Sequence, residues 1–161
     1  LISNGNHDLY GRDPAAEAAW REAREALCAG AVADEAGVVR IGDAEIALLD
    51  EAYPCPLFQS WGRVGEAALA RLRSRWAAPP LPGGRIVAGH YPLRLPNGRP
   101  LPRFAGLQDA PALEALLAEL RAPTYMCGHL HAAYELTLPS GCVQHCAGSV
   151  TGAGRVLRLC A

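Results

Sequence analysis

Three short strings, in fixed order, carry residue types able to do metal chemistry: Gly5, Asn6, His7 and Asp8; then Gly89 and His90; finally Gly128, His129, Leu130 and His131. Four of the five histidines of the chain lie inside them. Neutral imidazole is the commonest protein ligand for divalent metals, and an asparagine amide adds a hard, neutral oxygen. Each string also holds a glycine, which lets backbone turn sharply or pass close to an ion. In extended backbone His129 and His131 point to the same side, with α-carbons about 6.6 Å apart. That spacing suits two ligands serving two neighbouring ions, which in dinuclear hydrolases sit ~3.5 to 4 Å apart.

Together the strings resemble the later motifs of the calcineurin-like metallophosphoesterase superfamily: Gly-Asn-His-Asp or Glu, a histidine usually after glycine, and Gly-His-x-His. The resemblance implies an α/β fold of layered mixed β-sheets flanked by helices, an αββα sandwich. It implies a hydrolase of phosphate monoesters or diesters that uses two divalent ions such as Mn, Fe or Zn, and a metal-activated hydroxide. Asn6, His90 and His129 would bind one metal and His131 the other. His7 would lie near the phosphoryl group and give a hydrogen bond or proton to the leaving oxygen, with Asp8 orienting its ring; Asp8 equally suits a helix or turn cap. The run Tyr91, Pro92, Leu93 looks like the cyclic-nucleotide phosphodiesterase and related intracellular branch.

The two earlier motifs of that superfamily, Asp-x-His and Gly-Asp-x-x-Asp or Asn, should precede Gly5 and are absent from the 161 residues. They would supply an aspartate and a histidine to the metal that here has only His131, and the aspartate that bridges both ions. The expectation is therefore one metallophosphoesterase-like domain over residues 1–161 lacking its N-terminal portion. Alone, it should bind metal weakly and hydrolyse phosphoesters poorly.

Composition bounds the other possibilities. A chain of 161 residues, 50% hydrophobic and with formal charge −1, suits one domain with a sizeable core. Its 17 glycines and 13 prolines place many positions in turns and loops, where sites are often built. Fifteen basic against 16 acidic residues leave no footprint for nucleic acid, and no apolar run reaches the ~20 residues of a membrane span. A small phosphorylated substrate is the expected partner, and the expected location is cytoplasmic. All 15 basic residues are arginine. The absence of lysine excludes Schiff-base chemistry and the lysine-dependent phosphate loop.

The patterning supplies the elements that must position these residues. Residues 1–3 read as the end of a buried strand that delivers Asn6 and His7. Asp13 caps, and Pro14 starts, a helix over residues 15–29 with Ala19, Trp20, Ala23 and Leu27 as its apolar stripe. Residues 38–41 and 44–49 form a hairpin around Gly42 and Asp43. A loop over residues 51–62 carries Tyr53, Phe58 and Trp61, whose rings either pin it to the core or, exposed, could line a pocket. Helices over residues 65–76 and 109–121 alternate with strands at 85–88 and 124–127, and strands at 134–138, 142–146 and 155–159 follow. The proline-rich stretch 92–103 reads as a flap whose Arg94, Arg99 or Arg103 could grip an anionic substrate. Histidines then fall at the carboxyl ends of successive strands, where open α/β sheets keep their ligands.

Two other functions compete with the phosphoesterase. One is a non-catalytic relative that uses the same fold to bind a partner. The other is a structural zinc module drawing on Cys127, His129, His131, Cys142 or Cys146. The six cysteines read mainly as reduced, buried small residues, with Cys142 and Cys146 around His145 as the spacing that could hold a metal or close a disulfide.

Overall fold

The computed structural model describes residues 14–27, 33–53, 55–56 and 58–149. In chain order its elements are α1 (Pro14–Leu27), β1 (Val38–Ile41), β2 (Ala44–Leu48), α2 (Glu66–Arg75), β3 (Arg85–Ala88), α3 (Ala110–Glu119), β4 (Thr124–Cys127), β5 (Ala133–Thr137) and β6 (Val143–Ala147). Each lies within about two residues of its expected span. The strand expected at 1–3, the Asp13 cap and the strand expected at 155–159 fall outside the described residues.

The six strands form one mixed sheet in the order β1-β2-β3-β4-β6-β5. Its centre, β2-β3-β4-β6, is parallel, and the two outer pairs are antiparallel. Parallel neighbours need long crossovers, which α2 supplies between β2 and β3 and α3 between β3 and β4. The chain is thus α/β with a mixed sheet. β1 and β2 turn back at Gly42, whose φ of 61° is the left-handed geometry a glycine-led two-residue hairpin requires.

Strand alternation sorts the side chains. Ala47, Val87, Tyr125 and Gln144 stand in register across the four central strands, and all four are fully buried. Leu69 and Leu72 of α2 and Leu113, Leu116 and Leu117 of α3 join Ala47, Val87 and Tyr125 in one core. Trp76, just past α2, closes the floor of that core under Arg85, whose guanidinium lies 5.1 Å from its ring centroid. Arg85 is itself buried, but it donates to the carbonyls of Trp76 and Ala78 and faces Glu45 at 3.5 Å, so its charge is satisfied. The opposite face carries Val39 and Ile86, which are buried, and Ile46, Leu48, Ala88, Met126 and Val143, apolar and half-buried.

Two expectations change. Ala19 and Ala23, expected in the α1 stripe, are exposed; their short methyl groups offer little area to bury, so their spacing alone does not bring them inward. Stretch 92–103 is no free flap. Pro92 and Leu93 are buried, and the Gln144 side chain accepts from the amides of Leu93 and Arg94 and donates to the Arg94 carbonyl. Beyond them residues 94–100 close a small hairpin, with Arg94 and Pro100 bridged.

Because Leu116 is fully buried at the centre of the helix–sheet contact, Leu116→Ala should lower unfolding free energy by about 2 to 5 kcal/mol. Ala19→Ser should stay within about 0.5 kcal/mol. Chemical denaturation of both variants checks the pair.

Candidate functional site

The ends of β3 and β4 bring two of the expected ligands face to face. His90 follows β3 and His129 follows β4; His90 Nε2 and His129 Nδ1 are 3.2 Å apart. Both rings rest against Tyr91, with centroids at 4.9 Å for His90 and 4.5 Å for His129. The other nitrogen of His129, Nε2, lies 2.9 Å from the Ala105 carbonyl. A carbonyl only accepts, so Nε2 carries the hydrogen and Nδ1 of the neutral ring is left as a lone pair facing His90.

With metal–nitrogen bonds of about 2.0 to 2.1 Å, two ligands on one ion stand roughly 3.0 to 3.4 Å apart. The His90–His129 separation falls in that range. A histidine ligand also usually has its second nitrogen held by a carbonyl or carboxylate, which is what Ala105 does for His129. Without an ion, the same distance is a hydrogen bond from His90 Nε2 to His129 Nδ1. Among the described residues no three or more His, Cys, Asp or Glu side chains stand grouped to hold a metal ion.

His131 does not join this pair. The extended backbone expected from His129 to His131 is absent: β4 ends at Cys127, and the two histidines have φ of 67° and 56°. The Leu130 amide donates to the Gly128 carbonyl at 2.8 Å, closing a γ-turn about His129, a strained conformation found mostly where function requires it. His131 is exposed and makes no hydrogen bond with described residues. Asn6, His7 and Asp8 lie outside the described residues.

Other candidates sort as plainly. Arg94 is committed to Glu114 through two hydrogen bonds of 2.6 and 2.9 Å, so it is not a substrate-gripping residue. Arg99 and Arg103 are exposed. Cys142 and Cys146 cannot share a metal ion with His145, because alternation along β6 sends His145 to the other face. Cys146 instead pairs in register with Cys127, and neither is in a disulfide. A hydrogen bond from the Cys127 thiol pulls the Cys146 thiol down to about 7, while burial pushes Cys127 well up.

The residue the sequence did not announce is Glu51. Its carboxyl group is fully buried beneath the β3 loop, where Oε2 accepts from the amides of His90 at 2.7 Å and Tyr91 at 2.8 Å. Oε1 lies 2.9 Å from the Tyr125 hydroxyl, which is also 2.6 Å from the Tyr91 carbonyl. This explains Gly89: a Cβ there would come within 2.2 Å of Glu51 Oε1, so the glycine makes room for a carboxylate. At Gly128 a Cβ would meet only the His90 carbonyl, at 4.0 Å.

Burial drives the Glu51 carboxyl up to about 7, against hydrogen bonds from Tyr91, Tyr125 and His90 that favour the charged form. The geometry accommodates both forms: Tyr125 donates to Oε1 of the charged carboxylate, and in the neutral acid Oε1–H donates to Tyr125, whose own proton goes to the Tyr91 carbonyl. The loop after Glu51 is held by backbone rather than by its rings. Gly62 bridges to Ala52 and Leu107, while Tyr53 stacks on Trp61 at 4.9 Å and Phe58 is 98% exposed.

The fold and site thus define an α/β protein whose mixed sheet presents a histidine pair on loops at the carboxyl ends of two parallel strands. No family model and no curated protein matches the chain. Among solved structures it is similar to one titled "GAP50 the anchor in the inner membrane complex of Plasmodium", at 16% identity and a TM-score of 0.41, over 70% of this chain and 35% of that one. The chain therefore spans about a third of the length of that structure. No described helix is long and apolar enough to cross a membrane.

Glu51→Gln keeps an acceptor for both amides and a donor toward Tyr125, so its unfolding free energy should stay within about 1 kcal/mol of the parent. Glu51→Ala strands two buried amides and should cost about 2 to 4 kcal/mol. Because the folded carboxyl holds its proton where the unfolded one, near 4.5, has lost it, stability should fall as pH rises from about 4.5 to 7. That slope should flatten in Glu51→Gln. Denaturant titrations across this pH window measure all three.

Proposed function

We propose that this chain carries the later motifs of a metal-dependent phosphoesterase, of the kind its three strings resemble, and acts on a small phosphorylated substrate. The observation that supports it most is the His90–His129 pair, whose facing nitrogens stand at the separation of two ligands on one ion while Ala105 fixes the ring of His129. In this reading His90, His129 and Asn6 hold one divalent ion, and His131 contributes to a second. The half-buried apolar face of the sheet, with Ile46, Leu48, Met126 and Val143, suits contact with the second sheet of an αββα sandwich, since parallel sheets are normally covered on both faces. Cys127, Cys142 and Cys146 as thiols suit a reducing, cytoplasmic location.

Divalent ions held there supply positive charge at the phosphoryl oxygens and lower the pKa of water to give a nucleophile at neutral pH. The chain's own residues supply the positioning. The buried Glu51 carboxyl fixes the backbone that carries His90, and the Ala105 carbonyl fixes the tautomer of His129, leaving Nδ1 able to coordinate. For His90 to coordinate through Nε2, its ring hydrogen must move to Nδ1. His7, by the resemblance, gives its proton to the leaving oxygen, with Asp8 orienting the ring.

Replacing His90 or His129 with alanine should reduce Zn²⁺ or Mn²⁺ affinity by more than about 100-fold while the far-ultraviolet spectrum is retained. Calorimetric titration of the parent and both variants tests this, with hydrolysis of mono- and diester nitrophenyl phosphates as a second readout. Unchanged affinity in both variants would remove the metal site. Metal binding with no hydrolysis across a broad phosphoester panel, even with the earlier motifs supplied, would favour a binding module.

A further inference from the structure

Among the described residues four large apolar side chains are exposed: Ile41, Tyr53, Phe58 and Phe104. Ile41 closes the β1–β2 turn, at the amino end of β2 and away from the histidines, and the ring of Tyr53 is stacked on Trp61. Phe58 and Phe104 remain, and they sit on two loops tied to each other. The Ser60 amide donates to the Phe104 carbonyl at 2.9 Å, Gly62 to the Gly106 carbonyl at 3.2 Å, and Gln108 to the Gly62 carbonyl at 2.8 Å.

The second of these loops touches the histidine pair, because Ala105, next in the chain to Phe104, is the residue whose carbonyl holds His129. Phe104 is 60% exposed one residue from that contact. Phe58 is held at φ 68°, a conformation phenylalanine adopts only at a cost, and nearly all of its ring lies in solvent. Arg103 precedes Phe104, is exposed, and has no carboxylate partner among the described residues.

We propose that Phe104, with Phe58 on the paired loop, forms an aromatic shelf at the rim of the histidine pair and selects phosphoesters whose organic half carries an aromatic ring. This rests on the phosphoesterase reading and adds its substrate class. The phosphoryl group faces His90 and His129, Arg103 adds positive charge at the rim, and the ring of the substrate stacks on Phe104. Substrates without a ring lose that contact and keep the others.

The test uses two non-hydrolysable probes, phenylphosphonate and methylphosphonate, titrated into the full chain with Mn²⁺ present. The phenyl probe should bind about tenfold tighter than the methyl probe. Phe104→Ala should abolish that preference by weakening the phenyl probe alone, Phe104→Tyr should restore it, and Phe58→Ala should reduce it in part. Equal affinity of the parent for both probes, or a preference that survives Phe104→Ala, would overturn the shelf and leave the phosphoesterase reading standing. If neither probe binds with Mn²⁺ at a concentration that saturates the chain, the phosphoesterase reading fails and the shelf with it. Co-sedimentation with anionic phospholipid vesicles that disappears in Phe58→Ala and Phe104→Ala would also overturn the proposal, assigning the rings to a membrane surface.

Discussion

A single buried carboxyl group organises this end of the molecule. Glu51 leaves β2, turns under the end of β3, and gathers the amides of His90 and Tyr91 and the hydroxyl of Tyr125 around one acid. Burying an acid is costly unless its hydrogen-bonding capacity is met, and here three groups from two other strand ends meet it. The geometry around it follows from that cost. Gly89 has no side chain because the carboxyl occupies the space, and Gly62 has none because the ring of Tyr91 and the Glu51 carbonyl do. His90 is thereby placed on a backbone that cannot drift, with His129 opposite.

The elements were largely legible, because hydrophobic period and glycine or proline punctuation are local signals. β3 and β4 read cleanly as apolar runs ending in Gly-His, and α3 as a leucine stripe opened by proline. The pairing of His90 with His129 was legible only through motif order. What escaped was everything made by contacts distant in sequence. Nothing around Glu51 marks it as buried, since its partners lie about forty and seventy residues away. The Ala105 carbonyl that fixes His129 is a main-chain atom, and alanine carries no pattern that predicts it.

Two departures of the structure from the sequence pattern share a cause. His129 and His131 looked like extended neighbours because the strand pattern before them is strong; the chain instead leaves β4 at Cys127 and turns tightly about His129. Stretch 92–103 looked loose because it is rich in proline. Its first residues are buried and held by the Gln144 amide, a polar side chain placed in a core row otherwise made of Ala47, Val87 and Tyr125. In both places a few specific hydrogen bonds overrode a compositional trend.

The topology also sets when the histidine pair can exist. β5 and β6 form a hairpin from neighbouring sequence, but β3 and β4 pair only after the crossover through α3 has closed, and β2 joins them only through α2. Non-local pairings are the slow part of folding, because loop entropy is lost before the contacts that offset it are made. His90 and His129 therefore meet only once the crossover through α3 has closed. A growing or partly unfolded chain holds single imidazoles and no converging pair, so the pair itself reports a completed sheet.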